Sequence, residues 1–158
     1  MLLGMAALNR EAIYVALEQL LAAIPGVKTC SRVTRDLGRV APTEQPAVFL
    51  SAHKESAKNT KGLPTVWTLR ATVLIYARTD PETGNAPSSV LNPILTALEN
   101  ALLWVNGDGA PLAPQSPTTL KGLVSRVWMG PEIDIGEGVE TGQGVAIVPL
   151  EILATGGA

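Results

Sequence analysis

The stretch TVWTLRATVLIYAR at residues 65–78 decides the fold. Trp67, Leu69, Ala71, Val73, Ile75 and Ala77 fall on one side of a two-residue repeat and Thr68, Arg70 and Thr72 on the other. That is the pattern of a strand with one face on a core. Burying Trp67, Leu69, Val73 and Ile75 contributes roughly 1.5–3 kcal/mol each, an upper bound because the unfolded chain already hides some apolar surface. Toward the end, Leu74 and Tyr76 make the opposite face apolar too. The last third of the strand is therefore expected to be covered on both sides, by a helix or by a neighbouring subunit.

Before this strand lies a compact apolar run, Ala47 to Ala52, with Pro42 and Pro46 limiting where its pairing begins; it reads as a second strand. HKESAKNTKG at 53–62 has nothing to bury and reads as a projecting loop or hairpin tip. After the strand, DPETGNAPSS is dense in turn formers. It leads into a helix predicted from Ser89 to Val105, with Pro93 in its first turn and Leu91, Ile94, Leu98 and Leu102 on its apolar face.

At the other end, Asn9 caps a helix with Glu11 in its first turn and Ile13, Leu17, Leu20, Leu21 and Ile24 at helical spacing, closed by Pro25 and Gly26. Val27 to Val33 reads as a short strand and RDLGRVAPTEQP as a connection. Residues 106–119 form an aperiodic loop, long enough to suggest binding. One closing strand runs from Leu120 through Trp128, with an extension at Glu132 to Ile135. The last runs from Gly144 to Leu153, where Pro149 implies an edge or a bulge. This order predicts one α+β domain over residues 1–158, a mainly antiparallel sheet with two helices packed on it and flexible ends at 1–8 and 154–158.

The net charge of -2 and the dispersal of the 12 Lys and Arg residues argue against a nucleic-acid binder that works by neutralising phosphates. Arg32, Arg35 and Arg39 make the one local basic patch. Charged residues are 16% of the chain, below the usual quarter, which favours a surface partly hidden in an assembly. Cys30 is the only cysteine, so no intramolecular disulfide forms, and production in a cytoplasm fits. The opening MLLGMAAL lacks a basic flank and is too short to cross a bilayer, so neither a signal peptide nor a membrane span is expected.

Candidate chemistry is sparse. His53 with Glu55 nearby is the one possible general base, and a small ligand-binding domain or hydrolase using His53 and the acidic cluster is the reading from a different class; an exposed loop histidine is the plainer one. Cys30, flanked by Lys28, Ser31 and Arg32, reads as a partly buried strand thiol. Glu132, Asp134, Glu137 and Glu140 are the best metal candidates, but they lack the spacing of a calcium loop and read instead as an exposed turn or an acidic patch facing a basic surface on a partner subunit. Trp67 and Trp104 fall on core faces, whereas Trp128 suits a partly exposed contact anchor. No catalytic, cofactor or metal residues are assigned. The candidate contact residues are Lys54, Lys58 and Lys61 in the polar loop, Trp128, and the acids Glu132, Asp134, Glu137 and Glu140.

Several segments taken together, NREAIYVALEQLLAAIPGVKTCSR, EQPAVFL, GLPTVWTLRATVLIYARTD, LNPILTALENAL and GQGVAIVPLEIL, resemble in order and spacing the tail terminator or tail-completion proteins of long-tailed bacteriophages. The resemblance spans residues 9 to 153 and rests on whole-chain pattern. It implies a single domain assembling into a homo-oligomeric ring, typically a hexamer, at the head-proximal end of the virion tail. Such a ring caps the tail tube, stops its polymerisation and joins the head connector, with no cofactor and no membrane; DNA passes through it without specific recognition. A head–tail connector or another minor tail protein is the neighbouring reading.

Overall fold

The computed structural model describes residues 7–103, 118–138 and 141–156. Trp104, Val105, Glu140 and nearly all of the 106–119 loop lie outside these residues, as do residues 1–6 and 157–158 of the two expected flexible ends. The elements in chain order are α1 (Arg10–Ala22), β1 (Thr29–Ser31), β2 (Ala47–Lys58), β3 (Val66–Arg78), α2 (Ser88–Ala101), β4 (Arg126–Met129), β5 (Asp134–Glu137) and β6 (Gln143–Thr155). The expected α+β architecture is present: two helices on a six-stranded sheet ordered β1-β2-β3-β6-β4, with β5 also paired to β6. Every pairing is antiparallel except β1 with β2.

Strand β3 is the centre, hydrogen-bonded along its length to β2 and β6. Its odd-numbered residues from Leu69 to Ala77 are all buried, and they meet Leu17 and Leu21 of α1 and Leu91, Ile94 and Leu98 of α2 in one core. The other face carries a buried apolar cluster only near the strand's end. There Phe49, Tyr76, Ala47 and Val40 make a second small cluster, with the Phe49 and Tyr76 rings edge to face at 5.7 Å. Within the chain its cover is the excursion between β1 and β2, which includes two short 3-10 turns at Leu37–Arg39 and Pro42–Glu44. The Tyr76 hydroxyl donates to the Arg35 carbonyl at 3.0 Å, Arg35 lies over the Phe49 ring, and Arg35 is paired with Glu44. Gln45 and Gln143 exchange side-chain amide hydrogen bonds at 3.2 and 2.9 Å and tie this excursion to β6.

Helix α1 starts as expected, the Asn9 side chain accepting from the Ala12 amide, and the chain turns away through Gly26 at φ +86°. Other boundaries differ. Strand β2 runs to Lys58 instead of giving way to a loop at His53. Pro93 sits inside α2, past its first turn. The residues before β4 form a turn, with Leu120, Lys121 and Gly122 all at positive φ. Strand β6 continues through Thr155, two residues past the expected end at Leu153, and buries Ala154 completely.

Pro149 lies in mid-sheet, flanked by β3 on one side. On its other side the Gly130 amide donates to its carbonyl at 2.7 Å, but proline has no N–H to return the bond. The border is accordingly split there into two short strands, β4 and β5.

Candidate functional site

The sequence-selected residues fall on opposite borders of the sheet. On one border, β1 shields β2 only at Ala47–Phe49. From Ser51 to Lys58 the outer edge of β2 has no strand partner among the described residues, and Ala52 to Lys58 are all exposed. Lys54 and Lys58 are thus strand residues, not loop residues, while Lys61 stands in the turn that follows. His53 sits at an irregularity in the β2–β3 register. Glu55 is not oriented toward it as a partner: its carboxylate takes both hydrogen bonds from the Arg10 Nε, at 2.8 and 3.0 Å. Arg10 in turn covers the Trp67 ring at 4.6 Å, which leaves Trp67 half-buried at the core's margin.

On the far border, all four residues of β5 are exposed. The acids do not form a cluster. Glu137 accepts the Ser88 amide at 2.8 Å and so supplies the cap that the residue preceding α2, Pro87, does not provide. The Ser88 side chain and then its amide hold the Glu137 carboxyl below the usual carboxylate range. Asp134 lies in register with Ile147, which pairs with Leu74 on the face away from the helices. No group of three potential ligands gathers among the described residues.

Between β2 and β5 stand β3 and β6. At the usual spacing the two borders are roughly 14 Å apart. His53 and the β5 acids therefore do not share a site within one chain, and Lys54 and Lys58 do not reach Asp134.

Trp128 is half-buried on β4, with the Arg126 guanidinium 4.4 Å from its ring centre. It lines an apolar cleft with Leu102, Met129 and Ile133. A second apolar groove runs between the helices over Val15, Ala16, Leu20 and Leu123. Cys30 is a half-buried strand thiol whose Sγ faces the Glu18 carbonyl at 3.7 Å, and burial followed by the Glu18 charge raises its pKa above the ordinary value. The basic patch is neutralised in part, since Arg32 pairs with Glu11 and Arg35 with Glu44. Sequence reasoning missed the open edge of β2, which has no side-chain signature, and the capping role of Glu137.

These features define a class: a two-layer α+β unit whose sheet ends in two exposed, oppositely charged borders. No family model and no curated protein matches the chain. Among solved structures it is similar to a chain of the "virion of native gene transfer agent (GTA) particle", at 12% identity and a TM-score of 0.49 over 92% of this chain and 93% of that one.

Proposed function

We propose that this protein is a structural subunit of a phage-type particle and, within it, a tail terminator: copies form a ring, expected to hold six, that caps the head-proximal end of the tail tube. One face of the ring meets the tube protein and ends its polymerisation. The other offers the surface to which the head connector joins. The reading rests on the ordered sequence resemblance over residues 9 to 153, and one structural observation carries it. Among the described residues a single sheet presents two unlike exposed borders, basic on β2 and acidic beside β5. Unlike borders on one unit favour head-to-tail contacts, which close into rings when the rotation between copies allows. The mechanism is binding, and Lys54, Lys58, Lys61, Trp128, Glu132, Asp134 and Glu137 are the contact residues proposed.

Removing the coding sequence from the particle that carries it tests the reading by electron microscopy. Tails of uncontrolled length, or tails unattached to heads, are expected. Head-attached tails of normal length in the deletion would refute it.

A further inference from the structure

The two borders are suited to pair with each other as strands. From Ser51 to Lys58 the outer edge of β2 has no strand partner among the described residues, roughly 24 Å of edge backbone at the usual rise. An edge of that length is a template for another strand. On the far border only part is open. The Val127 amide on β4 already donates to the Thr118 carbonyl at 3.1 Å, whereas β5 is paired on its β6 side and its four residues are exposed, with Ile135 51% accessible.

Polarity agrees. β2 and β6 run one way and β3 and β5 the other, since each neighbouring pair is antiparallel. Two copies placed border to border in the same orientation would therefore bring β2 against β5 as an antiparallel pair, the more stable ladder. The charged side chains share a face as well. Lys54 and Lys58 are in register with Arg70 and Val66, and Asp134 reaches Leu74 through Ile147. Arg70, Val66 and Leu74 alternate on the side of β3 away from the helices.

Resting on the ring reading above, we infer that β5 of one copy adds to the open edge of β2 in the next, with Asp134 opposite Ser56. Asp134 then lies diagonally between Lys54 and Lys58, within reach of both side chains. Glu132, two residues earlier, faces Lys58. Within its own chain β5 is level with Phe49 through Ile147 and Leu74, so this pairing slides each copy about seven residues, or roughly 22 Å, along the strands. The step across the four strands β2, β3, β6 and β5 is roughly 19 Å. Together these steps set the strands at about 50° to the ring axis, a little above the tilt at which sheets ordinarily close on themselves.

The test is disulfide trapping in the full-length chain, in a Cys30→Ser background. Ser56→Cys combined with Asp134→Cys is expected to give, on mild oxidation, a ladder of covalent multimers. Either substitution alone should give nothing larger than a dimer. Rings seen by electron microscopy without the ladder would overturn the strand pairing and leave the terminator reading standing. A ladder from open fibres that never close would support the pairing and defeat the ring; a chain that stays monomeric and yields no ladder at any concentration would defeat both. Separately, Lys58→Glu and Glu132→Lys should each weaken association about 2- to 5-fold, and the double reversal should recover most of the loss. No recovery would overturn the register.

Discussion

Replacing Tyr14 by phenylalanine should make this protein more stable, although tyrosine is the native residue and lies in the core. Tyr14 is 5% exposed, and its hydroxyl is buried with no hydrogen-bond partner among the described residues. Burial, assisted by the Glu55 charge, accordingly pushes its pKa above 10.0. An unpaired buried hydroxyl costs about 1–3 kcal/mol in lost hydration. Phenylalanine keeps the ring and its contact with the Arg32 guanidinium, 5.4 Å from the ring centre. The void left by one oxygen costs a few tenths of a kcal/mol at about 24 cal/mol per Å³. The balance favours Tyr14→Phe by about 1 kcal/mol, a rise in Tm of roughly 2–4 °C for a chain of this size. Urea denaturation is the assay, with the midpoint rising and the slope unchanged. A fall in the midpoint would refute the reasoning, because it would mean that the hydroxyl has a partner whose loss outweighs its hydration.

Two further predictions follow from the site. The folded-state pKa of Glu137 is depressed, so the stability it contributes is present above the ordinary value of 4.5 and lost as pH falls through the folded value. Glu137→Gln should therefore flatten that part of the stability profile, and equal acid sensitivity in the two proteins would show that the carboxylate does not cap α2. Gly130→Ala would place a methyl 2.7 Å from Pro149 Cγ, against a ring with little freedom to move, and should lower stability by about 1–3 kcal/mol. An unchanged urea midpoint would mean that Gly130 and Pro149 do not pack this closely.

What the sequence makes legible follows from where side chains carry the information. The alternation in Trp67 to Ala77 names both the strand and its buried face, because a core lies along most of its length. β2 beyond Ala52 was unreadable for the opposite reason. Its residues there are exposed, so the strand is held by backbone bonds to β3, which any residue except proline can make. The start of α2 reads one residue late, at Ser89, because the acceptor for the Ser88 amide is Glu137, on a strand distant in sequence; Pro93 lies past the first turn counted from either residue. The cover over Phe49 and Tyr76 came from a proline-containing connection with no periodicity to announce it. The turn at Leu120 and Lys121 uses positive φ at residues that rarely adopt it. As for the site, the opposite charges of the two segments are visible in the text. Their places on opposite borders depend on sheet order, which long-range pairing determines.

The contact between Glu137 and Ser88 joins parts of the molecule that would otherwise be independent. Glu137 is the last residue of the outermost strand and also the acceptor for the first amide of α2. The sheet's margin is thereby leashed to the layer above it: a tug that draws the end of β5 outward strips that amide of its acceptor and frays the helix from its leading turn. Amide exchange at Ser88 is thus a gauge, read from within one subunit, of the strain borne at its rim.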